Sequence, residues 1–79
     1  MKQFTTKSLA QYNGKHGAPA YIAYAGKVYD VTHSWLWKKG KHQARHYAGR
    51  DCTGELKDAP HGEDLIHKFP QVGEFITGT

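Results

Sequence analysis

The chain has 79 residues, of which 38% are apolar and 13% aromatic, with a formal net charge of +4 and one cysteine. A chain of this length makes one domain, 1–79, and buries only about 60% of its unfolded surface, so its own core is marginal. One cysteine excludes an internal disulfide staple and suits a reducing compartment, and a ring-rich, aliphatic-poor composition at this size is compatible with a core completed around something else.

The elements follow in chain order. Thr5 or Thr6 caps a short helix carrying Leu9 and Tyr12 on one face, and Asn13-Gly14 stops it. Ala20 to Tyr24 reads as a strand, Ala25-Gly26 as a tight turn, and Lys27 to Val31 as the returning strand of a hairpin. Ser34 to Trp37 reads as an apolar helical turn, and His42 to Tyr47 as about a turn and a half of helix ending at Gly49. Asp51 or Thr53 caps the next helix, which carries Leu56 and breaks at Pro60. His61 to Lys68 makes one more short helix with Leu65 and Ile66 inward, and Val72 to Ile76 a last strand. The class is α+β. Helices this short are not stable alone and must pack on something.

Six histidines is a high count for this length, and four of them, His42, His46, His61 and His67, fall in the short-helix region. Neutral imidazole is a common ligand for metal ions and haem iron. A zinc site has little to build on. His42 and His46 stand at i, i+4, but Gln43-Ala44-Arg45 between them is not the metalloprotease pattern, and Cys52 has no second thiol. Cys52 in Asp51-Cys52-Thr53 carries no nucleophile signature and reads as a small buried residue, so catalysis is not expected. The basic stretch Lys38, Lys39, Lys41, Arg45 and Arg50 reads as a solvated face. No recognition helix or aromatic strand motif accompanies it, so nucleic acid is not an expected partner. No run approaches the roughly 20 apolar residues that span a bilayer, and the N-terminal residues lack the apolar segment of a signal peptide. A soluble, cytoplasmic, monomeric domain is the expectation.

Three motifs in order carry a family resemblance. Gly26-Lys27-Val28-Tyr29-Asp30-Val31-Thr32 is similar to the hairpin of the cytochrome b5-like haem/steroid-binding domains. Ala48-Gly49-Arg50-Asp51-Cys52-Thr53 resembles that family's Ala-Gly-x-Asp-x-Thr run. Ala59-Pro60-His61-Gly62, with Phe69-Pro70-Gln71-Val72-Gly73-Glu74-Phe75, resembles its second-ligand histidine and closing strand. The resemblance they carry covers nearly the whole chain, from Phe4 to Ile76. The usual His-Pro-Gly-Gly loop of the first ligand is missing. The shorter run Trp37 to His46 stands in its place, as in the compact prokaryotic subgroup of the family.

The resemblance implies a cytochrome b5-like fold: a small sheet with several short helices forming a haem pocket. It implies haem b, held without a covalent bond, in a one-electron carrier with no catalytic residues. His61 falls on the second-ligand position. For the first ligand, His42 is preferred because it follows the Gly40 turn and opens its helix. His46, one turn on, is the alternative. Tyr29, Trp35, Leu56, Leu65, Ile66 and Phe69 are the expected pocket residues, and Arg45 a partner for a haem propionate. The progesterone-receptor branch of the family uses a tyrosine ligand, and Tyr47 keeps open a five-coordinate module that binds haem or a steroid-like ligand. The family's eukaryotic members are acidic around the haem edge, whereas this chain is basic there. Its redox partner is therefore expected to be acidic.

Overall fold

A computed structural model describes residues 2–33, 41, 42, 46–54 and 66–76. Among the described residues the regular elements are β1 (Lys2–Phe4), α1 (Thr6–Leu9), β2 (Tyr21–Tyr24), β3 (Lys27–Asp30), β4 (Lys41–His42), β5 (His46–Tyr47) and β6 (Gln71–Phe75). Four strands form one sheet in the order β1-β6-β3-β2, and β4 and β5 form a separate two-stranded ribbon.

The hairpin at the centre forms as the sequence predicts. Ala25 and Gly26 both take positive φ, 51° and 80°, as a two-residue hairpin turn of right-handed strands requires. That turn pairs Tyr24 with Lys27 and fixes Ile22 opposite Tyr29 and Ala23 opposite Val28. β6 runs antiparallel to β3, with a register shift between Val28 and Tyr29. β1 runs parallel to β6, Lys2 opposite Gly73 and Phe4 opposite Phe75. Sequence reading leaves β1 out. It is three residues long and its partner lies at the far end of the chain.

Thr5, rather than Thr6, caps α1. Its hydroxyl accepts from the Ser8 N–H at 3.1 Å, and the Ser8 hydroxyl accepts from the Thr5 N–H at 2.9 Å, which satisfies two otherwise orphaned donors. Leu9, Phe4, Ala23 and Val28 form one buried cluster, with Tyr12, Tyr21, Val72 and Phe75 packed against it. The Tyr12 and Tyr21 rings stack at 4.6 Å, and Phe4 meets both edge-on at 5.5 and 5.8 Å. This cluster covers one face of the sheet with α1.

The outer edge of β2 is closed by the chain itself. Tyr21 N–H donates to Tyr12 O at 2.9 Å and its carbonyl accepts from Gly49 N–H at 2.7 Å. Ala23 N–H donates to Arg50 O at 3.1 Å and its carbonyl accepts from Cys52 N–H at 2.8 Å. Residues 48–52 therefore lie along β2 like a short extra strand, with Ala23 bridging Asp51 in parallel.

The helix expected over His42 to Tyr47 is corrected to a hairpin. β4 and β5 pair antiparallel, Lys41 with Tyr47 and His42 with His46. Too short to hold a helix alone and lacking an apolar stripe, the segment gains more by pairing its two ends across a short connection.

Candidate functional site

Strand alternation sends Ile22 and Tyr24 of β2 to the sheet face opposite α1, and the register adds Tyr29 of β3. These join Ala20, Val31, Ala48, Cys52 and Ile66 in a second buried cluster, with Phe69 packed at its margin. Val31, Cys52 and Ile66 are 0–1% exposed, and none of the cluster's side chains is charged. Each such side chain contributes roughly 1.5–3 kcal/mol when taken out of water, and so anchors the chain there.

The anchoring has a pattern. One candidate ligand segment leaves the sheet after Val31 and returns at Ala48, and it carries His42 and His46. The other leaves after Cys52 and returns at Ile66, and it carries His61. All four bracketing residues belong to the same cluster. Helical backbone begins at Thr53, with the Asp51 carboxylate accepting from the Thr53 N–H at 3.0 Å, and is present again at Ile66. After Ile66 the chain turns, and Pro70 O accepts from Asp30 N–H at 2.9 Å, which returns it to the sheet. Both segments that bear candidate ligands are thus tethered at each end to one apolar face.

Of the predicted pocket residues, Tyr29 and Ile66 are buried in this face and Phe69 lies against it. Trp35, Arg45, Leu56, His61, Leu65 and the turn at Ser34 to Trp37 lie outside the described residues. For His42 and His46 the backbone alone is described, and the two share one register position in the ribbon. The helical offset on which the preference for His42 over His46 rested is therefore gone. Sequence reading missed Ile22, Tyr24 and Val31 on this face. The signal for them was present, because a two-residue turn fixes Ile22 opposite Tyr29, and alternation then supplies the rest. It also missed His67, an exposed imidazole set edge-on to the buried Tyr24 and Tyr29 rings at 6.3 and 6.1 Å. Cys52 is buried, as expected, with its thiol directed at Arg50 O at 3.8 Å. Among the described residues, no helix is long and apolar enough to cross a membrane.

A small mixed sheet with α1 on one face, and an uncharged apolar cluster on the other to which both histidine-bearing segments are tethered at their ends, defines a small α+β domain. Residues 5–76 match the family described as cytochrome b5-like heme/steroid binding domain, and the chain belongs to that family. It is similar to a cytochrome b5 domain protein from Hadesarchaea, 55% identical at a TM-score of 0.91, covering 96% of this chain and 100% of that one. A cytochrome b5 domain protein from Methanococcoides burtonii is 53% identical at a TM-score of 0.90, covering 96% of this chain and 99% of that one. These likenesses place the chain among compact prokaryotic members. A hypothetical Arabidopsis thaliana protein with a cytochrome b5 like fold shares the fold at a TM-score of 0.69 and 24% identity, over 96% of this chain and 92% of that one. Probable steroid-binding protein 3 of Arabidopsis thaliana is 31% identical over 65 residues, which is 81% of this chain. The chain spans 65% of that relative's length.

The described wall fits a haem in chemistry. It is apolar, ring-bearing and free of charge, as a flat macrocycle requires of its surroundings.

Proposed function

We propose that this domain binds haem b through two imidazoles and serves as a cytoplasmic, non-catalytic one-electron carrier. His61 is the ligand from one segment, and either His42 or His46 the ligand from the other. The observation that carries the reading is the bracketing: both histidine-bearing segments are tethered to one uncharged apolar face. Haem held by two nitrogen ligands changes oxidation state without an open position for substrate. Tyr29, Ile66 and Phe69, with Trp35, Leu56 and Leu65, exclude water from that group. Burial and hydrogen bonding to the ligands set its potential. Arg45 pairs with a propionate. Covalent attachment has no support, since a c-type site needs two cysteines and the chain has one, which is buried. The net charge of +4 favours an acidic redox partner.

The test is an absorption spectrum of the haem-reconstituted, reduced protein. Sharp split bands are expected. His61→Ala should abolish them, as should either His42→Ala or His46→Ala, which assigns the first ligand. An unchanged low-spin spectrum in His61→Ala refutes the assignment. Binding to acidic against basic redox proteins at low salt tests the partner, and a preference for basic ones refutes that part. The name of the Arabidopsis relative favours a second reading, a module for a steroid-like ligand. A broad high-spin spectrum would instead support the five-coordinate haem that Tyr47 keeps open.

A further inference from the structure

One three-residue pattern occurs twice, as Asp30-Val31-Thr32 and Asp51-Cys52-Thr53. Both copies build the same local structure. Asp30 Oδ1 accepts from the Thr32 N–H at 2.9 Å and from its hydroxyl at 2.5 Å. Asp51 Oδ1 accepts from the Thr53 N–H at 3.0 Å and from its hydroxyl at 2.5 Å. With its proton committed to the carboxylate, each hydroxyl oxygen has lone pairs left to accept. Thr32 Oγ1 accepts from Ala20 N–H at 2.9 Å, and Thr53 Oγ1 from Ala25 N–H at 2.9 Å.

Ala20 and Ala25 flank β2 directly. The two units therefore clasp opposite ends of one strand, whose four residues span about 13 Å at the usual rise. The middle residue of each unit, Val31 and Cys52, is fully buried in the cluster on the site face. Each unit is also the last stretch of anchored chain before a histidine-bearing segment departs. The two clasped amides, Ala20 and Ala25, are thus held apart by β2.

We infer that Thr32 and Thr53, each oriented by its aspartate, are positioning residues that set the take-off points of the two ligand segments, and hence the geometry in which two imidazoles meet one iron. The inference rests on the haem reading above. Its chemistry is specific: a hydroxyl that donates to a carboxylate and accepts from an amide at once. Serine keeps that capacity and valine, of similar shape, loses it.

The test compares Thr32→Val, Thr53→Val and the two serine variants in the full chain. In the haem-free protein, amide hydrogen exchange should rise about tenfold at Ala20 in Thr32→Val and at Ala25 in Thr53→Val, the scale of one lost hydrogen bond. Nitroxide labels at His33 and Gly54 should give a broader distance distribution in both valine variants. In the reconstituted protein, haem dissociation should quicken by about tenfold, again the scale of one such bond, with partial loss of the low-spin bands. Serine variants should match wild type in each measurement. Unchanged exchange, an unchanged label distance, or failure of serine to rescue overturns the inference. So do valine variants that lose amide protection yet hold haem as wild type does, because the clasps are then structural only. A wild-type protein that never becomes low-spin counts against the haem reading. The exchange and label measurements still decide the positioning role.

Discussion

Gly73 sits in β6 between two strands, opposite Val28 of β3 and Lys2 of β1. A Cβ there would stand 2.3 Å from Lys2 O and 2.6 Å from Phe4 Cε2. A ring can rotate away, but a ladder carbonyl cannot move without lifting β1 from the sheet. Overpacking of this kind costs about 1–3 kcal/mol. Lifting β1 also exposes part of Phe4, now 1% exposed, whose burial is worth roughly 1.5–3 kcal/mol. Gly73→Ala should therefore destabilise by about 2–4 kcal/mol. A domain of this length has about 4–12 kcal/mol in all. The fall in Tm should be roughly 8–32 °C at about 4–8 °C per kcal/mol. Urea unfolding followed by circular dichroism measures the free-energy loss, and a thermal melt the fall in Tm. Gly26→Ala is the control, because nothing lies within 4 Å of its added carbon and only its φ of +80° is unfavourable. It should cost about 1–2 kcal/mol. A Gly73→Ala loss below about 1 kcal/mol, or one equal to the control's, refutes the close passage of β1 over Gly73.

Two further predictions concern the hairpin and its tyrosine. Ala25 holds φ at 51° in an exposed turn before Gly26, so Ala25→Asn should stabilise by about 0.5–1 kcal/mol, and a lower urea midpoint would contradict the turn assignment. Burial raises the Tyr21 phenol above its ordinary pKa, Asp30 and Tyr12 raise it further, and Lys2 opposes them. The folded state thus favours the neutral phenol. That share of stability is present below about pH 10, the unfolded value, and is lost as pH rises through the folded one. Wild type should lose stability more steeply than Tyr21→Phe across that alkaline range, and equal slopes would exclude the effect.

Much of this was legible in the sequence where the cause is local. Ala25-Gly26 dictates the hairpin, and the hairpin dictates which side chains share a face with Tyr29. Thr5 or Thr6 announces the start of α1, and the structure selects Thr5. The signal fails where the cause is distant. Lys2 to Phe4 has no strand pattern of its own and becomes one only against Gly73 to Phe75. His42 to Tyr47 failed for a different reason. Histidine, glutamine, alanine and arginine are compatible with a short helix, and nothing between them marks a turn, yet the two ends pair. Asp51 was readable as an ordinary cap and Asp30 as a strand residue, because the role of each depends on an amide flanking β2, distant in sequence. The candidate ligands were legible as residue types and spacing, and His61 by its match to a family position.

The placement of β1 also has a consequence for the order in which the domain assembles. Among the described residues β1 pairs with no strand but β6, so its ladder cannot form until residues 71–75 are in place. The hairpin of β2 and β3, by contrast, closes over a two-residue loop and needs little chain entropy. Residues 48–52 dock on it next. As the chain emerges in synthesis, the residues of the second buried cluster, Ala20 to Ile66, thus precede β6, and β1, although made before them, is fastened to the sheet after them. Pulse-labelled exchange during refolding should find Ala23 and Val31 protected early and Ile76, whose amide bonds Phe4, protected late.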